Sequence, residues 1–263
     1  MDYLKKAVSL IQDGDRYYGH GRFFADFIDD WAYRQTGLYE PSAPLREEVQ
    51  MIVSDLSHIV REAWEAAPGE DFLGHVIEES GGSGHLSFFR TPPSVSLLMA
   101  KMMGGSSRLE DFADICMGSG SLTLAYIRQT FLDGGASAVS RLNLMGEDLS
   151  GNKVKVAMLQ ILNLLDILGG DRPLYIHSMR LSEMNSLSRE VGTVQYDFSG
   201  PNNPKCKLSN EQHALIGQAV RSGVSEEIIS QRLRVPLNLV RRESDFENVA
   251  MLHQMSQVIS TPS

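Results

Sequence analysis

Residues 112–122, FADICMGSGSL, set the interpretation of the whole sequence. The stretch begins as an apolar strand that ends in an acid, then turns through two glycines around a serine into a helical pattern. Such a turn places free backbone N–H groups and the positive end of a helix dipole at one point, where a ligand can approach because glycine has no Cβ. It therefore predicts a cofactor pocket, although similar turns also serve only to join a strand to a helix.

A second strand ends in acids about 30 residues further on. The segment LMGEDL places Glu147 and Asp148 at this point. In dinucleotide-type folds an acid at the end of the second strand accepts hydrogen bonds from ribose hydroxyls. The alternative is that the two acids only cap the following helix.

Composition restricts the class of protein. The 263 residues suit one medium domain with helical additions or two small domains. The net charge of −9 argues against a chain covered by nucleic acid, although a local basic face is compatible with it. Two cysteines and seven histidines without ligand spacing predict neither a disulfide scaffold nor a metal site. No apolar run approaches the roughly 20 residues of a membrane span, and the start lacks a signal peptide, so we expect a cytoplasmic protein without a membrane partner.

The order of helix and strand patterns predicts an α/β fold. The first ninety residues carry helical spacing, for example at Phe23, Phe27 and Trp31. From about Ser87 helical and strand patterns alternate, which favours a mostly parallel sheet covered by helices. We expect a helical region at 1–86, a core at 87–204 and a helical segment at 205–263. The predicted strands are DFADIC (111–116), RLNLMGED (141–148), PLYIHSM (173–179) and GTVQYDF (192–198).

Three segments in order resemble a known family. They are FFRTPPSVSLLMAKMM (88–103), DICMGSGSL (114–122) and MGEDLSGNKVKVAMLQILNLL (145–165). They are similar to the Phe-Tyr-Thr-Pro, Asp-x-x-Cys-Gly-[Ser/Thr]-Gly and Gly-x-Glu segments of N6-adenine DNA methyltransferases, especially the modification subunits of type I restriction systems. The resemblance covers roughly residues 70 to 205. It implies a Rossmann-like methyltransferase core, S-adenosylmethionine as cofactor, and a separate specificity subunit or a homodimer as partner.

The resemblance also assigns residues to the cofactor site. These are Phe89, Thr91 and Pro92 beside the methionine end, Asp114, Gly118 and Gly120 beneath it, and Glu147 at the ribose. The match at Cys116 is shifted by one position, and Met117 stands where the family has a small residue.

The catalytic segment departs from the family pattern. The family places [Asp/Asn]-Pro-Pro-[Tyr/Phe] after a strand, where the side chain and a proline carbonyl accept the hydrogens of a flipped adenine amine and the aromatic ring stacks on the base. The corresponding residues here run from Asn202 to Lys205, so Asn202 and the Pro204 carbonyl would orient the amine. Lysine at the stacking position removes roughly 1–3 kcal/mol of stacking. Tyr196 or Phe198 could supply another ring.

The last sixty residues predict a helix-turn-helix. SNEQHALIGQAVRSG begins with a capping box at Ser209 and ends at Gly223, and two short helical patterns follow. The segment resembles the helix-turn-helix of ParB/RepB-type plasmid partition proteins. Between residues 205 and 242 seven Lys or Arg stand against three Glu, a local balance of +4. We expect DNA as the partner, with a structural or dimerising role as the alternative; the proposed contacts are Arg232, Arg234, Arg241 and Arg242.

Two functional hypotheses follow from the sequence. One is an S-adenosylmethionine-dependent DNA adenine N6-methyltransferase, an enzyme in which positioning of the amine matters more than a strong base. The other is a catalytically inactive methyltransferase-like protein that binds DNA and acts in regulation, plasmid or phage maintenance, or anti-restriction.

Overall fold

The structure is a computed structural model that describes residues 2–19, 21–80, 90–103, 110–199 and 210–233 together with Val240. The helices in these ranges are α1 (Tyr3–Tyr18), α2 (Arg22–Thr36), α3 (Gln50–Ala66), α4 (Phe72–Ser80), α5 (Pro93–Met103), α6 (Ser121–Val139), α7 (Gly151–Gly169), α8 (Asn210–Arg221) and α9 (Glu226–Leu233). The strands are β1 (Glu110–Asp114), β2 (Leu142–Asp148), β3 (Ser178–Asn185) and β4 (Glu190–Ser199).

The amino-terminal helices form where apolar side chains recur at helical spacing. In α2 the rings of Phe23 and Phe27 are buried, and Phe27 meets Trp31 edge-on with ring centroids 5.3 Å apart. Gly37 ends this helix with a φ of 71°, a left-handed conformation that glycine adopts without steric cost. The predicted helical character of this region is confirmed.

One hydrophobic core joins the helices and the sheet. Buried side chains from Ala7 in α1 to Tyr196 in β4 form a single contact cluster. The helix α7 lies at its centre, because nearly all of its residues between Val154 and Leu165 are buried. The helical region and the strands therefore stabilise each other rather than forming separate cores.

The sheet is mixed. Its strand order is β1-β2-β3-β4, with β1, β2 and β3 parallel and β4 antiparallel to β3. The predicted α/β class is confirmed at this level. In the classic doubly wound order a fourth strand lies beside the first, and the ligand crevice opens between them. Here β4 pairs with β3, and among the described residues no strand lies on the other edge of β1.

Only one face of the sheet is apolar. Phe112, Leu144 and Met179 occupy neighbouring register positions and are buried, and Phe112 stacks on Tyr126 of α6. The opposite face carries a polar row: Asn143 donates to Asp111 at 2.9 Å and Ser178 donates to Asn143 at 2.7 Å. Arg180 pairs there with Asp197 at 3.2 Å, and both are exposed. The described chain therefore has two layers at this point, with helices on one face.

The third strand was predicted in the wrong place. PLYIHSM (173–179) is irregular and has no strand pairing up to His177, and β3 starts at Ser178 and continues through RLSEMN. The β-forming residues before it serve the core instead, since Leu174 and Ile176 are both buried. One face of β3 is open to solvent, so polar and apolar residues are mixed along it. The strand therefore contains no continuous apolar run of the kind that indicates a strand in the sequence.

The carboxyl-terminal helices have a core of their own. Ile216 of α8, Ile229 of α9 and the helical residue Val240 are buried against one another. The turn between α8 and α9 contains Gly223, with a φ of 75°. Two of the three predicted helices are thus confirmed, and most of the third lies outside the described residues.

Within the described ranges, no helix is both long enough and apolar enough to span a membrane.

Candidate functional site

The turn between β1 and α6 has the backbone shape expected from its glycines. Gly118 has a φ of 56° and Gly120 a φ of 95°, both in the left-handed region that side chains with a Cβ rarely adopt. A Cβ at Gly120 would also lie 3.3 Å from the Cβ of Ala157, so α7 packs closely behind the turn. We call residues 117–121 the glycine corner.

The backbone N–H groups of this corner have partners inside the protein. The Gly118 N–H donates to Asp148 Oδ2 at 2.9 Å, and the Gly120 N–H donates to the Met117 carbonyl at 2.8 Å. The Met117 N–H donates to the Glu147 carbonyl at 2.9 Å. The prediction of free N–H groups is therefore wrong for Gly118 and Gly120.

Of the two acids that end β2, Asp148 has a structural role. Its Oδ1 accepts the Ser150 N–H at 2.9 Å, just before α7 begins, while its Oδ2 holds Gly118. Ser150 is the N-cap of α7 and accepts from Lys153. For Asp148 the alternative of a helix-start contact is thus observed, and the same carboxylate joins the ends of β1 and β2.

Met117 is accommodated by a glycine on the next strand. Its side chain is 5 % exposed, and a Cβ added to Gly146 would lie 2.4 Å from the Met117 sulfur. The same Cβ would lie 2.8 Å from Leu181 Cδ2. The large residue at the position where the family has a small one is therefore compensated by Gly146, and its side chain points into the core.

A buried polar network fixes the corner to the helical region. Asp71, 5 % exposed at the start of α4, accepts hydrogen bonds from the hydroxyls of Ser119 and Ser121. It also accepts the Gly74 N–H at 2.8 Å and the amide of Gln160 at 2.8 Å. Four donors thus converge on one carboxylate, which satisfies a group that would be costly to bury alone.

Gln160 completes this network from the middle of α7. Its amide nitrogen donates to Asp71 and to the Ser119 carbonyl at 2.9 Å. Its amide oxygen accepts from the Leu73 N–H at 3.0 Å and from the Trp64 indole at 3.4 Å. Both donors and both acceptor positions of the amide are therefore used. Ser119 is held from two sides, so the corner is fixed in shape.

Glu147, the residue assigned to the ribose, is shielded by an arginine. Its side chain is 2 % exposed, and Arg189 Nη1 lies 3.3 Å from Oε1 and 3.4 Å from Oε2. Arg189 belongs to the turn between β3 and β4, which also contacts the corner side of the sheet through a hydrogen bond of 2.7 Å from Ser186 to the Ile115 carbonyl. Ribose hydroxyls could reach the carboxylate only after the guanidinium moves. The Arg189 side chain is 62 % exposed, so it has room to move into solvent.

Asp114 lies at the end of β1 beneath the corner. Thr123 Oγ1 donates to its Oδ2 at 3.0 Å. Burial raises the pKa of the Asp114 carboxyl above its ordinary value, the hydrogen bonds from Thr123 and the Cys116 backbone lower it, and the nearby Asp148 carboxylate adds to the upward shift. A cationic group placed near this carboxyl would be attracted to its ionised form.

Thr91 lines a cavity that borders the network. The cavity measures about 210 Å³ and lies between the start of α5 and α6, with Ser121, Arg90 and Arg128 also in its wall. Ser96 lines it too; its side chain is 2 % exposed and its Oγ has no hydrogen-bond partner. The volume suits the amino-acid end of a ligand such as S-adenosylmethionine, not the whole molecule. Pro92 is exposed, and Phe89 lies outside the described residues.

The strand that leads to the catalytic segment is β4. It finishes at the end of the sheet that lies opposite the glycine corner. Ser199 pairs with Ser178 at the amino end of β3, whereas Glu147 pairs with Ser182 four residues further along. Strand rise and spacing place Ser199 on the order of 17 Å from Asp114. Asn202 and Pro204, the proposed catalytic residues, lie outside the described residues.

The rings considered for base stacking lie on the same strand. Tyr196 is fully buried and stacks on Phe198 with ring centroids 6.1 Å apart, while Tyr39 meets it edge-on. Burial raises the pKa of the Tyr196 hydroxyl above its ordinary range. Tyr196 is a core residue, so it offers no surface to an extruded base.

Arg232, one of the four arginines assigned to DNA, lies on α9 and faces the amino-terminal helices. It lines a cleft of about 630 Å³ together with Arg34, Arg61 and Trp31. The guanidinium of Arg61 lies 5.7 Å from the Trp31 ring centroid, and Arg34 pairs with Asp30 at 2.7 Å. Arg234, Arg241 and Arg242 lie outside the described residues.

In the part of the chain that the structure describes, no group of three or more His, Cys, Asp or Glu could hold a metal ion. No family model matches the chain, and searches of curated proteins and of solved structures found no match either.

Three residues that shape the site were not identified from the sequence. Asp71 precedes the apolar run of α4, which is a helix-cap signal, and Gln160 interrupts a long apolar helix, which marks a buried polar contact. Arg189 ends a turn that begins at Asn185, whose side chain accepts from the Leu187 and Ser188 N–H groups. Such an Asx-turn is recognisable locally, but the contact of Arg189 with Glu147 is not.

Proposed function

We propose that the chain is a methyltransferase-like protein that binds S-adenosylmethionine at the glycine corner and DNA through its carboxyl-terminal helices, without methylating adenine itself. This is the second of the two hypotheses drawn from the sequence. The observation that carries it is the antiparallel direction of β4, which leads away from the corner at Ser199. The three residues from Ser199 to Asn202 can cover at most about 10 Å, less than the separation of Ser199 from Asp114.

Cofactor binding is supported by the shape and the chemistry of the corner. The left-handed glycines let a ligand approach the backbone, and the network of Asp71 and Gln160 fixes that shape before a ligand arrives. Glu147 is the ribose acceptor, and Leu149, 59 % exposed, offers an apolar contact one residue after Asp148. The residues present therefore fit the cofactor once Arg189 leaves the carboxylate.

The methionine end has a matching cavity. A carboxylate and an amine need charged or polar partners, and the cavity beside Thr91 provides Arg90, Arg128 and the unpaired hydroxyl of Ser96. Arg90 already contacts Glu78 at 3.4 Å, so that Arg128 is the cation of this wall that remains for a carboxylate. When bound, S-adenosylmethionine supplies a sulfonium methyl group, and the Asp114 carboxyl lies beneath its expected position.

DNA binding is supported by the carboxyl-terminal segment. The small core that α8, α9 and Val240 share agrees with a helix-turn-helix arrangement. Residues 205–242 carry a net positive charge within an acidic chain. Phosphate contacts by such a segment make affinity fall steeply with salt. Replacing both Arg241 and Arg242 with alanine should weaken binding and flatten its salt dependence.

The deciding experiment is a titration with S-adenosylmethionine followed by a methyl-transfer assay on DNA of mixed sequence. We expect measurable heat of binding and no N6-methyladenine. Gly120→Val serves as the control, because its side chain would meet Ala157 and its φ is strained. Methylation that disappears in Asn202→Ala would overturn the proposal in favour of an active adenine methyltransferase. Absence of cofactor binding by the folded protein would overturn the proposed ligand.

A further inference from the structure

The helix α5 turns its large apolar side chains outward. Its buried residues are the small Ser96 and Ala100, which let it pack closely on α6. Five of its six large apolar residues, all except the half-buried Leu97, follow the spacing i, i+3, i+4, i+7, i+8 and are exposed by 40 % or more. This set, which we call the α5 stripe, consists of Val95 (42 %), Leu98 (59 %), Met99 (40 %), Met102 (78 %) and Met103 (44 %).

The exposure of the α5 stripe is the opposite of what α3 shows, where the large apolar side chains at this spacing are buried. In α3 the residues at the same kind of spacing, Val53, Leu56 and Val60, are buried in the core. A continuous apolar stripe at helical spacing is the face that a helix buries against another element.

The size of this surface exceeds that of scattered apolar residues. From the exposed fractions, the α5 stripe presents on the order of 500 Å² of surface, within the range of the largest single patch on monomeric proteins. Two such surfaces in full contact would bury about 1,000 Å², which is the area that a biological interface should reach. One copy thus supplies half of the area that a dimer needs.

We infer that the α5 stripe is the contact surface between two copies of this chain, related by a two-fold axis, with the α5 helices antiparallel. The axis passes near Met99, so that Val95 of one copy meets Met103 of the other. The stripe has no charged side chain, and Lys101, the one charged residue of α5, lies outside it. A symmetric contact therefore brings no like charges together at its centre, and interfaces between identical chains are the more apolar class.

This inference is independent of the cofactor and of DNA. It can be tested by light scattering and sedimentation over a concentration series of the full chain. We expect a mass of two chains at the higher concentrations for the wild-type protein. Met102→Arg places a charge in the stripe and should raise the dissociation constant at least tenfold. Leu98→Glu should do the same, which guards against an effect peculiar to one variant.

A matched control is available on α3. Met51 is 80 % exposed, nearly the same as Met102, and lies outside the stripe. Met51→Arg should therefore dimerise like the wild type, and all variants should have wild-type circular dichroism. A wild-type chain that stays single at every concentration would overturn the inference and leave the stripe to a different protein. Dimers that persist unchanged in both Met102→Arg and Leu98→Glu would overturn it as well.

Discussion

The glycine corner and the turn between β3 and β4 meet at the same edge of the sheet, yet they are held in different ways. The corner is fixed from behind by buried donors and acceptors around Asp71 and Gln160. The turn touches the corner side through Arg189, which is mostly exposed and whose contacts with Glu147 are longer than 3.2 Å. A preorganised site and a displaceable cover lie side by side, so mutations in the two regions should have different kinds of effect.

Removing the carboxylate of Asp71 should have the largest effect. Asp71→Ala leaves the donors of Ser119, Ser121 and Gln160 without their acceptor in the core, and we expect a loss of more than about 3 kcal/mol in the free energy of unfolding. Urea denaturation measures it. Asp2 is the matched control, since it also caps a helix but at the surface, and Asp2→Ala should lower stability much less. Equal losses in both variants would show that the network does not fix the corner.

A smaller loss is expected where Met117 packs against β2. Gly146→Ala brings a methyl group into the space of the Met117 sulfur, and overpacking of this kind costs about 1–3 kcal/mol. Met117→Ala in the same chain should restore part of that stability. If the double variant is as unstable as the sum of the two single changes, the two residues are not the compensating pair that the structure indicates.

Arg189→Ala tests the cover rather than the site. The variant frees the Glu147 carboxylate for ribose hydroxyls, so we expect S-adenosylmethionine to bind roughly tenfold more tightly, a gain of about 1.4 kcal/mol. The urea midpoint should fall, because Glu147 is 2 % exposed and loses the guanidinium that pairs with its carboxylate. Arg180→Ala is a suitable control, as its pair with Asp197 lies on the open polar face. Weaker cofactor binding in Arg189→Ala would instead make Arg189 part of the ligand site.

The smallest effect concerns pH. Because the pKa of Asp114 is raised above 3.8 in the folded chain, its carboxyl takes up a proton as the pH falls through that raised value. A sulfonium cation favours the ionised carboxyl, so its affinity should fall several-fold on acidification. S-adenosylhomocysteine has no sulfonium charge and should show a flatter profile, and Asp114→Asn should flatten the profile of the cation. Without ligand, the free energy of unfolding changes with pH in the opposite direction. The protonated Asp114 carboxyl stabilises the folded state in acid, and this contribution is lost as the pH rises through the pKa of the folded chain.

The sequence predicted helices better than the sheet for a physical reason. The helical period of α2, α3 and α7 is visible in a single segment, since each buries one face or all of its surface. The direction of β4 depends on a turn at residues 186–189 and on pairing with β3, and neither follows from the apolar pattern of GTVQYDF. The misplaced third strand has the same origin, because β3 is apolar on only one face.

For the candidate site, the sequence identified the backbone but not its surroundings. The left-handed glycines follow directly from the Gly-Ser-Gly turn. The partners of that turn come from positions 41 to 48 residues away, as the bonds of Ser119 to Asp71 and to Gln160 show. Contacts of this separation depend on the packing of whole helices, so local patterns do not contain them.

Tyr39 has a consequence for how this sheet can grow. Its hydroxyl accepts the Gln195 N–H at 2.7 Å and donates to the Gln195 carbonyl, on the edge of β4 that faces away from β3. A phenol thus occupies the two backbone groups to which the main chain of another molecule would attach. Tyr39 therefore satisfies this edge of β4 at Gln195, and Tyr39→Phe would leave that N–H and carbonyl open to another chain.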